Sequence, residues 1–291
     1  MMFKSFKAPL AALVACLPLS IAGVSLPGTA SAQLFGANDD VQPESRVPGF
    51  LRNRPLGLTI GLDTPYEGSG ELSMTFGLAA DYGSAKAARA PLQTMSGLDL
   101  PIVDFDIIQL GISGNLWGEI PNEGPRADLT YLYPSINAGV WGAIGNDTLS
   151  LDGKIVGKVW APEEFPVSRE GYEAQVGVTL YAPMARVFET RTIDLAVRAD
   201  LTFADDTYMA QHFGITAEES AASGLAEHTA GAGMKSAGFS VGTVLPLHHN
   251  LELQGAAGMV QLLDDAAASP WVVERGELTD IWGNVGIAFR F

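Results

Sequence analysis

The last twelve residues, Asp280-Ile281-Trp282-Gly283-Asn284-Val285-Gly286-Ile287-Ala288-Phe289-Arg290-Phe291, decide how the rest of the chain is read. Successive side chains of a strand point to opposite faces. Odd positions carry Ile281, Val285, Ile287, Phe289 and Phe291, and even positions carry Asp280, Asn284, Gly286, Ala288 and Arg290. One face is apolar, the other polar or small. Phe289 and Phe291 fall where the interfacial aromatic girdle of an outer-membrane β-barrel would lie. They are also the expected signal for barrel-assembly machinery. The rival reading of this strand alone is a secreted β-sandwich.

The same alternation recurs upstream. Leu56, Leu58, Ile60 and Leu62, then Leu72, Met74, Phe76 and Leu78, alternate with Gly, Thr and Ser and read as a hairpin around the turn residues of 63–70. Residues 81–101 are unclear, with an Ala-rich stretch that suits a short helix. Residues 103–117 read as one strand that changes phase: Val103, Phe105 and Ile107 share one parity, and Leu110, Ile112 and Leu116 the other. A bulge near Ile107-Ile108 would keep both sets on the lipid side. Ile136, Ala138, Val140 and Ile144 mark the next strand, ended by a turn at Asn146-Asp147. Five more follow in the second half, the clearest at 193–203, where Ile193, Leu195, Val197, Ala199, Leu201 and Phe203 alternate with Asp194, Ala196, Arg198, Asp200 and Thr202. With the terminal strand the count is ten, and eight or twelve remain open.

Connection lengths separate the two rivals. Working back from the end, 264–278 is long, 246–250 short, 204–235 long, 183–191 fairly short, 160–171 long and 145–148 short. Up-and-down transmembrane barrels have short periplasmic turns and long outer loops, whereas a soluble sandwich has no reason to alternate in this way. The expected fold is therefore all-β, a transmembrane antiparallel up-and-down barrel over residues 55–291.

The N-terminus and the composition agree with export. Lys4 and Lys7 precede an apolar run, and Ala30-Ser31-Ala32 supplies a small-residue cleavage site, so residues 1–32 read as a signal peptide. Leu13-Val14-Ala15-Cys16 also fits a lipoprotein box, which leaves lipidation at Cys16 as the alternative. Residues 33–54 are polar and Pro-punctuated, a periplasmic lead-in. The single cysteine lies within the leader, so no disulfide supports the mature fold. A net charge of −16 argues against nucleic acid, which needs a basic footprint. No apolar run beyond the leader approaches the ~20 residues of a spanning helix, so spanning falls to strands, in a closed sheet.

Asp205-Asp206-Thr207-Tyr208-Met209-Ala210-Gln211-His212-Phe213-Gly214-Ile215-Thr216, Ala221-Ala222-Ser223-Gly224-Leu225, Gly231-Ala232-Gly233-Met234-Lys235, Leu262-Leu263-Asp264-Asp265-Ala266-Ala267-Ala268-Ser269-Pro270 and Glu274-Arg275-Gly276 together resemble the family of MltA-interacting protein and outer membrane protein V. The resemblance covers 201–291 well and 147–200 loosely, with a faint echo at Pro65-Tyr66-Glu67-Gly68-Ser69. It implies a barrel in the outer membrane of a Gram-negative cell, in contact with its lipid. It further implies a non-enzymatic scaffold for a periplasmic murein hydrolase and murein synthase, and no cofactor. His212 and His228 stand near positions where the family usually has aromatic residues. A narrow small-solute channel or a surface-binding barrel is the alternative function.

Several constellations bear on function. In the 204–235 loop, Thr216 and Glu219 form a capping box and Gly224 is placed to end the helix with positive φ, making the loop a lid, a docking surface or a plug. Asp194, Arg198 and Asp200, with Lys154, Lys158, Glu173, Glu252 and Arg290 from other strands, should point into the lumen. They form either a salt-bridged filling or a conduction path, and about ten strands leave little room for the second. His248-His249 reads as a solvated turn and not a metal site. A hydrolase built from His212, Ser220 or Ser223 and Asp205 or Asp206 lacks a nucleophile elbow. By topology, 33–54 and 81–100 are the candidate periplasmic docking segments.

Overall fold

The computed structural model describes residues 55–80, 97–105, 107–146, 148–161, 170–188 and 191–290, all within the unit Pro48–Phe291. The expected signal peptide and lead-in, and residues 81–96 of the second candidate docking segment, lie outside the described residues. Eleven strands form one antiparallel sheet: β1 (Pro55–Asp63), β2 (Ser73–Ala80), β3 (Gly97–Asp104), β4 (Ile108–Trp117), β5 (Ser135–Gly145), β6 (Leu149–Trp160), β7 (Tyr172–Phe188), β8 (Arg191–Ala204), β9 (Gly233–Pro246), β10 (Leu251–Leu262) and β11 (Thr279–Arg290). Their spatial order is β2-β1-β11-β10-β9-β8-β7-β6-β5-β4-β3. The first strand thus pairs with the last, Leu58 opposite Ile287. β2 and β3 stand at the two ends of an odd-numbered antiparallel order and run in the same direction. The described strands alone therefore leave no antiparallel seam between them.

Alternation sets which face each residue takes. Leu58, Phe76, Leu110, Val140, Ile155, Val176, Leu201, Phe239 and Ile287 are exposed on the outer face, while Thr59, Gln109, Ser113, Asn137, Ser150, Thr179, Thr202, Ser240 and Gln254 are buried on the inner one. Phe76 is 76% exposed and Leu58 70%, a pattern inverted relative to a water-soluble sheet. The inner wall is instead built of hydroxyl, amide and charged groups, with Tyr181, Ala196, Ala256 and Trp282 as a small apolar patch.

The expected single strand over 103–117 is corrected to two. The phase change at Ile107-Ile108 is a hairpin turn: Phe105 N–H donates to the Ile108 carbonyl at 2.8 Å and Ile108 N–H returns to Phe105 at 3.3 Å. A turn and a bulge both invert parity, and no local signal separates them. The β5–β6 turn is held by Asn146, whose side chain accepts from the Thr148 and Leu149 N–H groups at 2.9 and 3.0 Å. β7 and β8 run further than expected, past Pro183, because two bulges absorb the residues that break the ladder.

The long connections 64–72, 118–134, 205–232 and 263–278 lie at one end of the sheet. The ends of β3 and β4 that face each other, those of β5 and β6, and the turn 247–250 lie at the other. The long ones carry α1 (Asp206–Phe213), α2 (Ala217–Ser223), α3 (Asp264–Ala268) and α4 (Pro270–Glu274), plus a 3-10 turn at Gly124–Arg126.

Candidate functional site: a packed cap above an ion-paired interior

These four connections pack on one another. Tyr66 from the β1–β2 connection, Ile120, Leu129 and Leu132 from β4–β5, Tyr208, Met209, Phe213, Ile215 and Leu225 from β8–β9, and Ala266, Trp271 and Val272 from β10–β11 form a single apolar core that reaches down to Val156 on the inner wall. Isolated helices of five to eight residues are unstable in water, so this shared core holds them. Trp271, 1% exposed, is the keystone. Its ring stacks on Phe213 with centroids 6.1 Å apart, and its indole N–H donates to the His212 carbonyl at 3.1 Å. Arg126, 2% exposed, lies over the indole and donates to the same carbonyl at 2.7 Å and to that of Thr130 at 3.1 Å.

Local caps hold each segment. Asp205 accepts from Tyr208 N–H at 2.8 Å to start α1. Thr216 accepts from Glu219 N–H at 3.3 Å, and the Glu219 carboxylate takes the Thr216 N–H in return at 2.9 Å; Gly224, with φ 77°, ends α2. Glu219 does more than close this box. Its other oxygen accepts from the N–H and hydroxyl of Thr130 at 2.8 and 2.6 Å, tying α2 to the β4–β5 connection. Burial pushes this carboxyl up, but the hydrogen bonds from Thr130 and Thr216 outweigh it and leave it below its ordinary value of 4.5. A lowered folded value stabilises the clasp fully above pH 4.5, and that stabilisation is lost as pH falls from there through the folded value. Protection of the Thr130 amide from hydrogen exchange is therefore expected to drop on acidification through this range in the wild type. Glu219→Gln should show no such step, and a step persisting in that variant would contradict the assignment. On the cap's surface, Tyr131 donates to Glu119, and this bond, with a little help from burial and neighbouring charge, raises the phenol to about 12.

The expected lumen charges do not meet as one cluster. Arg198 is the centre of the largest group, making a bidentate pair with Asp152 on β6 at 2.5 and 2.8 Å and a bond to Asp200 at 3.2 Å; Gln175 donates to Asp200 at 3.0 Å. The guanidinium lies across Gly177, where any side chain would strike it. Glu173 sits higher, paired with Lys235, which also meets Glu67 at 2.7 Å. Lys158 pairs with Glu170 at 2.5 Å at the rim. Asp194 accepts from Thr192, and Glu252 from Gln254, near the short-turn end. Lys154 faces inward from mid-strand, and the Arg290 side chain and Phe291 lie outside the described residues; Phe289 is half-buried on β11. Asp152, Lys235, Arg126 and Trp271 are the members that sequence reasoning did not single out.

The histidines take structural positions. His212 stacks on Tyr208 with centroids 3.8 Å apart and its Nδ1 is 2.8 Å from the Tyr208 carbonyl; His228 Nε2 is 3.0 Å from the Asp265 carbonyl. His248 and His249 are exposed on the β9–β10 turn. Ser220 and Ser223 donate to the Leu225 and Glu219 carbonyls, both at 2.6 Å, and neither approaches His212 as a nucleophile would. Among the described residues no group of three or more potential ligands could hold a metal ion.

The molecule is thus an all-β protein whose single antiparallel sheet turns an apolar face outward and a polar, ion-paired face inward, under a cap of packed loops. Its chain belongs to the MltA-interacting protein MipA family, whose model matches residues 56–291. No curated protein matches it. Among solved structures it is similar to the outer membrane protein OprD from Pseudomonas aeruginosa, at 10% identity and a TM-score of 0.30, over 81% of this chain and 65% of that one. The chain spans a little under two thirds of that protein's length.

Proposed function

We propose that this protein is a closed outer-membrane β-barrel without enzymatic activity, which binds or scaffolds a periplasmic murein-remodelling enzyme of the kind the family is named for. The observation that carries the reading is the cap, which seats a hydrophobic core, Trp271 included, over the loop end. A solute path would have to part it and pass the Arg198 network, which lines the wall from β6 to β8. The outward apolar face supports placement in lipid, which cannot satisfy an open sheet edge and so favours a closed cylinder. Family membership supports the murein-enzyme partner.

Purified protein in planar bilayers is expected to give no resolved open steps. Detergent extracts are expected to co-purify a lytic transglycosylase. Well-resolved conductance in the wild type would instead favour a narrow small-solute channel, and repeated failure to recover any murein enzyme would count against scaffolding.

A further inference from the structure

Most of the cap is cemented by apolar side chains, but the β1–β2 connection is held differently. Residues 64–72 give the cap core one large side chain, Tyr66. Their firmest ties are polar and reach the wall beneath and the neighbouring β10–β11 connection. The Glu67 carboxylate meets Lys235 Nζ at 2.7 Å, Gly68 N–H donates to Asp280 Oδ2 at 2.6 Å, and the Gly68 carbonyl accepts from Glu277 N–H at 3.0 Å. Lys235 is 3% exposed; it also pairs with Glu173 on β7 and sits 5.0 Å from the centre of the Tyr208 ring on α1. One ammonium thus joins strap, wall and cap.

The arrangement allows two states. Lys235 has two carboxylates, so Glu67 can leave for water while Glu173 keeps the buried cation paired. Gly68 and Gly70 have φ of 81° and 66°, and glycine crosses to other backbone regions without the steric penalty of a side chain. Asp280, 4% exposed, accepts from the Gly68 N–H through Oδ2 while its buried Oδ1 accepts no hydrogen bond, so the carboxyl is incompletely satisfied when the strap is closed. Tyr66 and Glu67 also line a small cavity that they share with Arg126, Tyr208, His212 and Trp271 of the cap.

We propose that the β1–β2 connection is a strap that gates the interior: parting Glu67 from Lys235 and Gly68 from Asp280 lets residues 64–72 swing outward and opens the chamber to the loop side. This rests on the closed-barrel reading above. Glu67→Lys tests it most specifically, since it sets two ammonium groups against each other while Lys235 keeps Glu173. Lys235→Met is the companion, leaving Glu67 and Glu173 without their shared cation. Full-length protein, shown folded by its heat-modifiable gel mobility, is compared in planar bilayers. Wild type should be silent, and Glu67→Lys should raise open probability by roughly tenfold or more, the scale of a partly solvent-screened attraction turned into a repulsion at a side chain 34% exposed. Protease cleavage should increase within 64–72 while 205–232 stays protected. Silent, folded Glu67→Lys and Lys235→Met proteins beside a silent wild type would overturn the strap alone. Cleavage spread through the whole cap would also overturn it, because the cap would then have no separate moving part. A conducting wild type would overturn the closed-barrel reading instead.

Discussion

Arg198→Met is expected to destabilise the folded protein by about 3 kcal/mol or more, because it leaves Asp152 and Asp200 facing each other without their shared cation. The methionine replaces most of the arginine's volume, so the loss is electrostatic. Arg198 is 8% exposed, and its partners are also largely shielded, so solvent screening is weak. The gel fraction of folded protein against urea measures the effect as a lower midpoint. Adding Asp152→Asn and Asp200→Asn to Arg198→Met should recover much of the loss, since a neutral, hydrogen-bonded set removes the stranded charges. A single variant within about 0.5 kcal/mol of wild type would behave as a surface substitution and would show that the interior network is solvated.

Trp271→Ala should cost the cap a similar amount, about 3–5 kcal/mol, while leaving the sheet assembled. The substitution removes the face that Phe213 and Arg126 pack on and the donor to the His212 carbonyl. The cap core is shared among four connections, so its loss should release them together as a local unfolding unit. Limited proteolysis is expected to cut 205–232 and 263–278 far faster in the variant, with gel mobility still that of a folded protein. Unchanged protection of both segments would show that Trp271 is not the keystone.

The sheet was largely legible because a period of two survives whatever surrounds it. Leu201 and Phe203 face outward, and Arg198 and Thr202 inward, simply by parity. Lys235 was not legible for the same reason. It shares the parity of the outward Phe239 and Val241, yet a register shift between Thr202 and Phe203 turns it inward to Glu173. Bulges leave no residue signature in one sequence. The hairpin turn at 105–107 was misread as a bulge because both devices shift phase.

The cap was legible only where its chemistry is local. Thr216, Glu219 and Gly224 announce α2 through spacing alone, because a capping box and a positive-φ stop are made by neighbours in the chain. α3 and α4 are five residues each, too short for any helical period to appear. Their partners are distant: Trp271 meets His212 and Phe213, and Arg275 donates to the Ala127 and Ser223 carbonyls. One signal was available in Asp205, which precedes Tyr208 at capping distance and starts α1.

A nitroxide scan of positions 193–203 in lipid vesicles bears most directly on the orientation of the sheet. Collision with oxygen, which concentrates in lipid, is expected to be high at odd positions such as 197 and 201, and low at 196, 198 and 202. A flat profile, or high values at the even positions, would contradict a sheet whose outer face meets lipid and whose inner face holds the ion pairs.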